Sequence, residues 1–292
     1  MITVFTPSYN RENELKQLYK SLLKQDFKNF EWLIVDDGSK DNTKEIVKKW
    51  KSEKKIKINY VYKQNGGKQS AYNLGLDKCK GDIFLCIDSD DILKSNILKN
   101  IEDDFKNIID HDSIAGVAYL QSYISDKKKI IGSKFPSNNM ICTYYEMYNK
   151  HKVTGDKLIV LKTSVAKKYY FPIIEGEKFV PEALIFNRIS KDYKLLFINK
   201  VAAHKEYLEG GYSNNYFNLV KRNPKGNALY FKEAYDFESS LYNVYGYILF
   251  SIYSKNKFKE MYANHKAKFK IICLYLPTFI ISKTRWLKWK NF

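Results

Sequence analysis

Apolar and polar positions switch between two periods along the first hundred residues. Ile2–Thr6 is a short β-rich run, and residues 12–25 then place Leu15, Leu18, Leu22 and Leu23 at helical spacing, with Asn10 as a candidate N-cap. Glu31–Val35 is strand-like again and ends on Asp36-Asp37-Gly38-Ser39. Asn42–Lys54 reads as a helix with Ile46, Val47 and Trp50 on one side and Asp41 as a candidate cap. Ile56–Tyr62 alternates, Lys68–Lys78 is helical, and Asp82–Ile87 is a nearly unbroken apolar strand. Strands alternating with helices predict βαβ units, an α/β fold and a parallel sheet. Ligands of such sheets sit beyond the carboxyl ends of the strands. The first, second and fourth strands end there in Thr6-Pro7-Ser8-Tyr9-Asn10-Arg11, Asp36-Asp37-Gly38-Ser39 and Asp88-Ser89-Asp90-Asp91.

Beyond residue 95 the pattern is weaker. Ser95–Ile109 reads as a helix, Ile114–Ser125 with Lys129–Ile131 as a hairpin, and Leu158–Leu161 as a short strand. Pro181–Ser190 reads as a helix with proline at its first position, and Leu195–Phe197 as another short strand. Glu206–Asn215 is polar and contains glycine, which predicts a loop, and from Phe217 onward helical spacing and lysines dominate. There is neither an internal repeat nor a low-complexity linker.

Composition narrows the picture. Hydrophobic residues make up 45% of the 292 positions, enough for a sizeable core, which excludes global disorder. Lys plus Arg is 50 against 32 Asp plus Glu, a net charge of +18. Such an excess suits nucleic acid, anionic lipid or phosphorylated substrates. A nucleic-acid module would cluster its arginines, whereas Arg11, Arg188, Arg222 and Arg285 are scattered, so no nucleic-acid partner is expected. Cys79, Cys86, Cys142 and Cys273 form no Cys-x-x-Cys pair, which argues against a zinc ribbon or disulfide framework and for a reduced, cytoplasmic protein. The N-terminus lacks a basic segment followed by an apolar one, so no signal peptide is expected. The longest apolar stretch, Ile271 to Ser282, contains Pro277 and falls short of the roughly 20 residues that span a bilayer.

Candidate chemistry concentrates at Asp88-Ser89-Asp90-Asp91. Three carboxylates in four residues repel one another unless a cation or hydrogen-bond donors compensate. Strand alternation puts Asp88 and Asp90 on one side, and hard oxygen ligands suit Mg2+ or Mn2+, which usually also engage substrate phosphates. The competing reading is a capping turn at the start of the next helix.

These segments in this order resemble a family 2 glycosyltransferase with a GT-A fold. The likeness is carried by Thr3 through Arg11, Trp32 through Thr43, Asn65-Gly66-Gly67-Lys68 through Asn73-Leu74-Gly75, and Ile87 through Asp91. It implies a Rossmann-like mixed sheet flanked by helices. Residues 1–215 would form the catalytic domain, with a nucleotide-binding half at 1–110 and an acceptor-binding half at 111–215. Residues 216–292 would be a basic, aromatic-rich helical extension. The resemblance further implies a UDP-sugar donor, with Pro7 and Tyr9 beside the base. One of Asp36 and Asp37 would accept from the uracil imide, with Asp36 favoured for the base and Asp37 for the turn. Lys68, Asn73, Asp88 and Ser89 would complete the donor site. Asp90 would hold Mn2+ or Mg2+, with His204 as a further ligand. The family's Ala-Arg-Asn is Ala71-Tyr72-Asn73 here, which makes Lys68 the cation for the nucleotide. A Walker phosphate loop is excluded at Gly66-Gly67-Lys68, because Gln69 stands where the Ser or Thr would be.

For an inverting transfer the resemblance implies Glu182 as base, six residues before Arg188, although Pro181 replaces the first acid of the usual pair. Glu175, Glu177 and Asp192 are rivals. The acceptor implied is a growing surface glycan or lipid-linked glycan. The apolar run at 271–281 lies between Lys266, Lys268, Lys270 and Lys283, Arg285, Lys288, Lys290. With Trp286 and Trp289, it suits peripheral attachment to an anionic inner membrane face. The element before Arg285-Trp286 is Ser282 rather than Gln, which argues against a processive, channel-forming synthase. A nucleotidyltransferase on the same fold would want glycines after the first strand, and Thr6–Arg11 has none.

Overall fold

In the computed structural model, which describes residues 1–205 and 216–284, the apolar runs of the first half become strands of one mixed sheet. The elements of this half are β1 (Ile2–Ser8), α1 (Glu12–Leu23), β2 (Phe30–Asp36), α2 (Thr43–Glu53), β3 (Ile58–Tyr62), α3 (Lys68–Lys78) and β4 (Ile83–Cys86). Then come β5 (Ile92–Leu93), α4 (Ile97–Lys106), β6 (Ile114–Tyr123), β7 (Met140–Cys142), α5 (Tyr144–Asn149), β8 (Lys157–Lys162), α6 (Thr163–Ala166), α7 (Ala183–Ile189) and β9 (Lys194–Lys205). The strand order is β3-β2-β1-β4-β8-β6-β9-β5, with β7 paired to β9. The first four strands in this order are parallel; β8 runs antiparallel to both β4 and β6, and β9 runs parallel to β6.

This order decides what meets at one edge. The carboxyl ends of β1, β2, β3 and β4 share it because they are parallel. The antiparallel pairing of Leu85 with Val160 brings the start of β8 to the same edge. Leu120 pairs with Lys157 and Tyr123 with Lys205, so the ends of β6 and β9 lie there as well.

Apolar packing holds the sheet under this edge. Trp32 is fully buried and stacks with Tyr19 and Trp50, whose rings lie 4.4 Å apart, which fixes α1 and α2 to β2. On the other face Phe5 stacks on Phe84 at 5.3 Å, and Gly75 lets α3 approach, because a Cβ there would enter the Phe5 ring. At the opposite edge the fully buried Glu31 accepts from Thr3 Oγ1 (2.9 Å), Asn59 Nδ2 (2.6 Å) and the Lys80 N–H (3.0 Å).

Three expectations are corrected. Lys129–Ile131 forms no hairpin strand: only the isolated bridge Ser122–Ile130 links it to β6, whose neighbours are β8 and β9. The strand seen as Leu195–Phe197 runs for 12 residues. Its apolar pattern breaks at Asn199, whose side chain instead accepts from the Phe135 N–H at 2.9 Å. Asn10 does not cap α1; it adopts φ 51° and its side-chain oxygen accepts from the Lys40 N–H. The helix α5 escaped the apolar reading, although its capping box, Thr143 with Glu146, stands in the sequence.

The chain divides into two compact units, residues 1–171 with 188–206 and residues 172–187 with 207–292, where a single cut near 215 was expected. In the second, α8 (Tyr216–Arg222), α9 (Pro224–Phe237), α10 (Leu241–Tyr253), α11 (Phe258–Ala263) and α12 (Lys268–Thr284) surround Val244, Ile248, Met261 and Ile271. Gly246 lets α10 close on the ring of Phe231, which stacks on Phe250 at 5.6 Å. Among the described residues no helix is long and apolar enough to cross a membrane. The loop expected at Glu206–Asn215 and the flanking Arg285, Trp286, Lys288, Trp289 and Lys290 lie outside the described residues.

Replacing Glu31 with Ala strands buried donors from three segments. The expected loss is about 2–4 kcal/mol of unfolding free energy, read from the urea midpoint at unchanged slope.

Candidate active site

The site is assembled from strand ends of the first unit. β1 ends at Ser8, which is in register with Asp36 at the end of β2. The two following loops are laced together: the Asn10 N–H donates to Ser39 Oγ (2.8 Å), the Lys40 N–H to Asn10 Oδ1 (2.8 Å), and the Glu12 N–H to Asp41 Oδ2 (3.1 Å). Pro7 pairs in register with Val35, and Tyr9 projects beyond the strand with 45% of its surface exposed.

Asp36 and Asp37 divide their work differently from the expectation. Asp36, fully buried, accepts from the Ser39 N–H at 2.7 Å and from the Tyr60 hydroxyl, so it is Asp36 that holds the Gly38-Ser39 turn. Gly38 sits at φ 88°, a conformation that favours glycine. Asp37 organises the next loop: its carboxylate accepts from Lys63 Nζ (2.6 Å) and from the N–H groups of Gly66 (2.9 Å) and Gly67 (2.8 Å). Its Oδ2 also accepts from Asn65 Nδ2 at 3.0 Å. Asp37 thereby fixes the entry of α3, where Gly67 at φ 90° precedes Lys68.

Lys68 Nζ lies 2.5 Å from Asp88 Oδ1, and Lys205 Nζ at the end of β9 lies 3.2 Å from Asp88 Oδ2. Burial alone would raise the Asp88 carboxyl, but the two ammonium groups outweigh it and hold the group well below the usual carboxylate range. Asp88 in turn keeps Lys205 charged against its own burial, with help from Asp91 and from Asp156, which pairs with Lys205 at 3.4 Å. Burial and the Asp88 charge push Asp90 up. Asp91 is 2% exposed, accepts from Gln121 Nε2 at 3.1 Å, has no hydrogen-bond partner for Oδ1 among the described residues, and is pushed up to about 8, mainly by burial. Ser89 is buried within this turn.

Two expected site residues stand apart. Each end of the Asn73 carboxamide is engaged by the Phe171 backbone, at 2.9 Å in both directions, so Asn73 clamps the chain after α6 rather than presenting its amide to a ligand. His204 lies within β9, buried, with Nδ1 2.7 Å from Ser122 Oγ. Burial, then Lys127 and Lys94, lowers its pKa. The described residues contain no group of three or more His, Cys, Asp or Glu side chains placed to hold a metal ion, so His204 does not join Asp90 in such a set. What the turn offers is a small number of hard oxygens, an arrangement that fits Mg2+ or Mn2+ when substrate phosphates fill most of the shell.

Glu182 belongs to the second unit, exposed, immediately before α7, where its carbonyl accepts from the Ile185 N–H at 3.0 Å. Pro181 also precedes α7 rather than opening it. The rival Glu177 is committed to the start of α9, accepting from the N–H groups of Lys225 (2.7 Å) and Gly226 (2.8 Å). Asp192 accepts from the Tyr169 hydroxyl. The sequence reading missed Lys63, Lys205 and Asp156. The signal that marks them is charge balance: buried carboxylates at strand ends require cations at neighbouring ones.

The family model described as Glycosyl transferase family 2 matches residues 3–156, more than half of the chain. Glycosyltransferase GlyG of Streptococcus pneumoniae is 32% identical over 211 residues, covering 68% of each chain. The chain belongs to glycosyl transferase family 2. It spans less than a fifth of the length of several other curated relatives it matches. Among solved structures, S. aureus TarS 1–349 in complex with UDP-GlcNAc superposes with a TM-score of 0.61 at 19% identity, covering 97% of this chain and 91% of that one. A mannosyltransferase from Pyrobaculum calidifontis in complex with GDP-Man and Mn2+ gives 0.57 at 17% identity, covering 97% and 83%. These likenesses place the family 2 domain on the GT-A fold.

Because the Asp91 carboxyl is raised on folding, the folded state binds more protons than the unfolded one between the ordinary aspartate range and about pH 8, and stability falls as pH rises through that window. Asp91→Asn, which cannot ionise, is expected to gain in melting temperature relative to the parent chain as pH goes from 5 to 8.5. A constant difference would contradict the raised carboxyl.

Proposed function

We propose that this chain is an inverting glycosyltransferase that moves a single sugar from a UDP-sugar to a growing surface glycan, with a divalent cation at Asp90. The observation that carries the reading is the convergence at one sheet edge of Asp36 and Asp37, Lys68 and Lys205, and the Asp88–Asp91 turn. Such an edge has room for a base beside the exposed Tyr9 and, one strand away, a polar place for a diphosphate with two lysines. The donor class is supported by TarS, crystallised with UDP-GlcNAc and with UDP.

In this reading Asp36 and Asp37 keep the base pocket rigid through their turn bonds, and one of them accepts from the uracil imide. Lys68 and Lys205 face the leaving diphosphate. Asp90 would hold a divalent ion, which would supply positive charge against the diphosphate as it leaves. Glu182, six residues before Arg188, is the residue we assign as the base that would take the proton from the acceptor hydroxyl as the new bond forms. Mn2+ or Mg2+ fits the hard oxygens of the turn. A glycan on a lipid carrier is the acceptor we favour, because the second unit carries a surface suited to an anionic membrane. Helix α12 has no acidic residue, contains Pro277, and exposes Phe269 (78%), Ile272 (54%), Leu276 (63%) and Ile280 (53%) along one stripe while Ile271 is buried. Lysines at 266, 268, 270 and 283 flank that stripe.

Calorimetry should detect UDP binding that Mn2+ strengthens. Asp90→Ala should remove the metal effect, and Glu182→Gln should retain donor binding while losing about 10²-fold or more in transfer. Retained metal dependence in the first variant, or retained transfer in the second, would displace the assigned role. For the acceptor side, the full chain should sediment with vesicles containing phosphatidylglycerol and not with neutral ones, and Leu276→Asp with Ile280→Asp should reduce the bound fraction. Equal binding to both vesicle types would remove the anionic surface from the account.

A further inference from the structure

Asp156 has no place in the roles assigned so far beyond balancing charge, yet the topology puts it, with Lys205, on the edge where the donor would lie. From β2 across β1 to β4 the edge presents Asp36, then the loop after Ser8, then Asp88. The next strand is β8, and the residue immediately before it is Asp156. Asp156 is thus one strand further from the base pocket than Asp88, in the direction that a nucleotide-sugar runs if its base lies at β1 and β2 and its diphosphate at β4.

The side chains connect along the same line. Lys205 Nζ bridges Asp88 Oδ2 at 3.2 Å and Asp156 Oδ2 at 3.4 Å. Asp88 is 28% exposed, Lys205 only 15%, and Asp156 47%. The lysine is therefore the buried strut, and Asp156 is the member that opens most to ligand-sized groups. Gly155 before it takes φ 78°, where an L side chain is strained, and a Cβ there would approach Ile131 O to 2.6 Å, so the turn that presents Asp156 depends on a glycine. A half-exposed carboxylate at this place on the edge can accept hydrogen bonds from the hydroxyls of a sugar.

We propose that Asp156, held by Lys205, is the residue that reads the hydroxyls of the transferred sugar. The inference rests on the donor reading above and adds a specificity-determining residue to it. Asp156 acts on the hexosyl group, whereas Asp88, Lys68 and Lys205 act on the nucleoside diphosphate. The chemistry thus separates into two binding increments, one common to UDP and every UDP-hexose and one belonging to the sugar alone.

The test measures, by calorimetry on the full chain with Mn2+ present, the affinity for UDP and for a panel of UDP-hexoses including UDP-GlcNAc and UDP-glucose. The parent chain should bind UDP and bind its preferred UDP-hexose more tightly. Asp156→Asn should leave UDP affinity unchanged and weaken the preferred UDP-hexose by about tenfold or more, the loss expected for a hydrogen bond to a charged group. Asp156→Ala should do the same, and unliganded melting temperatures of both variants verify that this half-exposed position tolerates the change. If UDP and UDP-hexose weaken by the same factor, Asp156 acts only through Lys205 and the inference is overturned. If UDP-hexose affinity is unchanged, or no hexose binds more tightly than UDP in the parent chain, it is overturned as well. If the parent chain binds no UDP, the donor reading itself fails, an outcome distinct from the others.

Discussion

The carboxylate of Asp88 emerges from a buried apolar strand and has to stay ionised there. Lys68, delivered by the first turn of α3, and Lys205, delivered by the last residue of β9, make that possible by occupying its two oxygens. The three groups come from parts of the chain 137 positions apart at the extreme, since 205 − 68 = 137, and the sheet must be completed before they meet. Removing any one leaves a charge uncompensated near a low-dielectric core, where its cost is far greater than at the surface. The neighbouring Asp90 and Asp91 feel the same crowding in the opposite sense, both raised by burial and by Asp88. One anion is thereby fixed while its neighbours remain electrostatically strained, a strain that the added cation of the proposed function would relieve.

Backbone donors do comparable work at the adjoining strand. Asp36 and Asp37 are successive residues, yet one closes its own turn and the other pins the loop two elements further along the sequence. Their bonds hold this side of the edge in place, the side that the proposed function gives to the nucleotide base. That rigidity reduces the ordering that binding must otherwise supply.

Much of this was legible in the sequence where a pattern is local. The apolar runs from Ile2 to Ile87 carry β1 to β4 within about two residues at each end, because buried parallel strands are written as continuous apolar stretches. α3 was located over the residues it occupies, Lys68–Lys78. The acidic strand ends were visible for the same reason: they interrupt apolar runs. What was not legible depends on distant pairing. β9 looked three residues long because Asn199 breaks its pattern; its side chain bonds the Phe135 backbone and its N–H donates to Asn138 Oδ1, partners some sixty residues away. The register shifts between β6 and β9 that carry Lys205 to the edge have no local signature. Asn73 sits in a motif that suggests a ligand, but its amide is taken by Phe171, nearly a hundred residues later.

The most direct measurement of the central claim is a crystal structure of the full chain grown with UDP and Mn2+. The account predicts the uracil beside Tyr9 and the Asp36-Asp37 turn, the diphosphate over the Asp88–Asp91 turn within reach of Lys68 and Lys205, and manganese scattering next to Asp90. Density for UDP at another face of the sheet, or a diphosphate remote from both lysines, would contradict it.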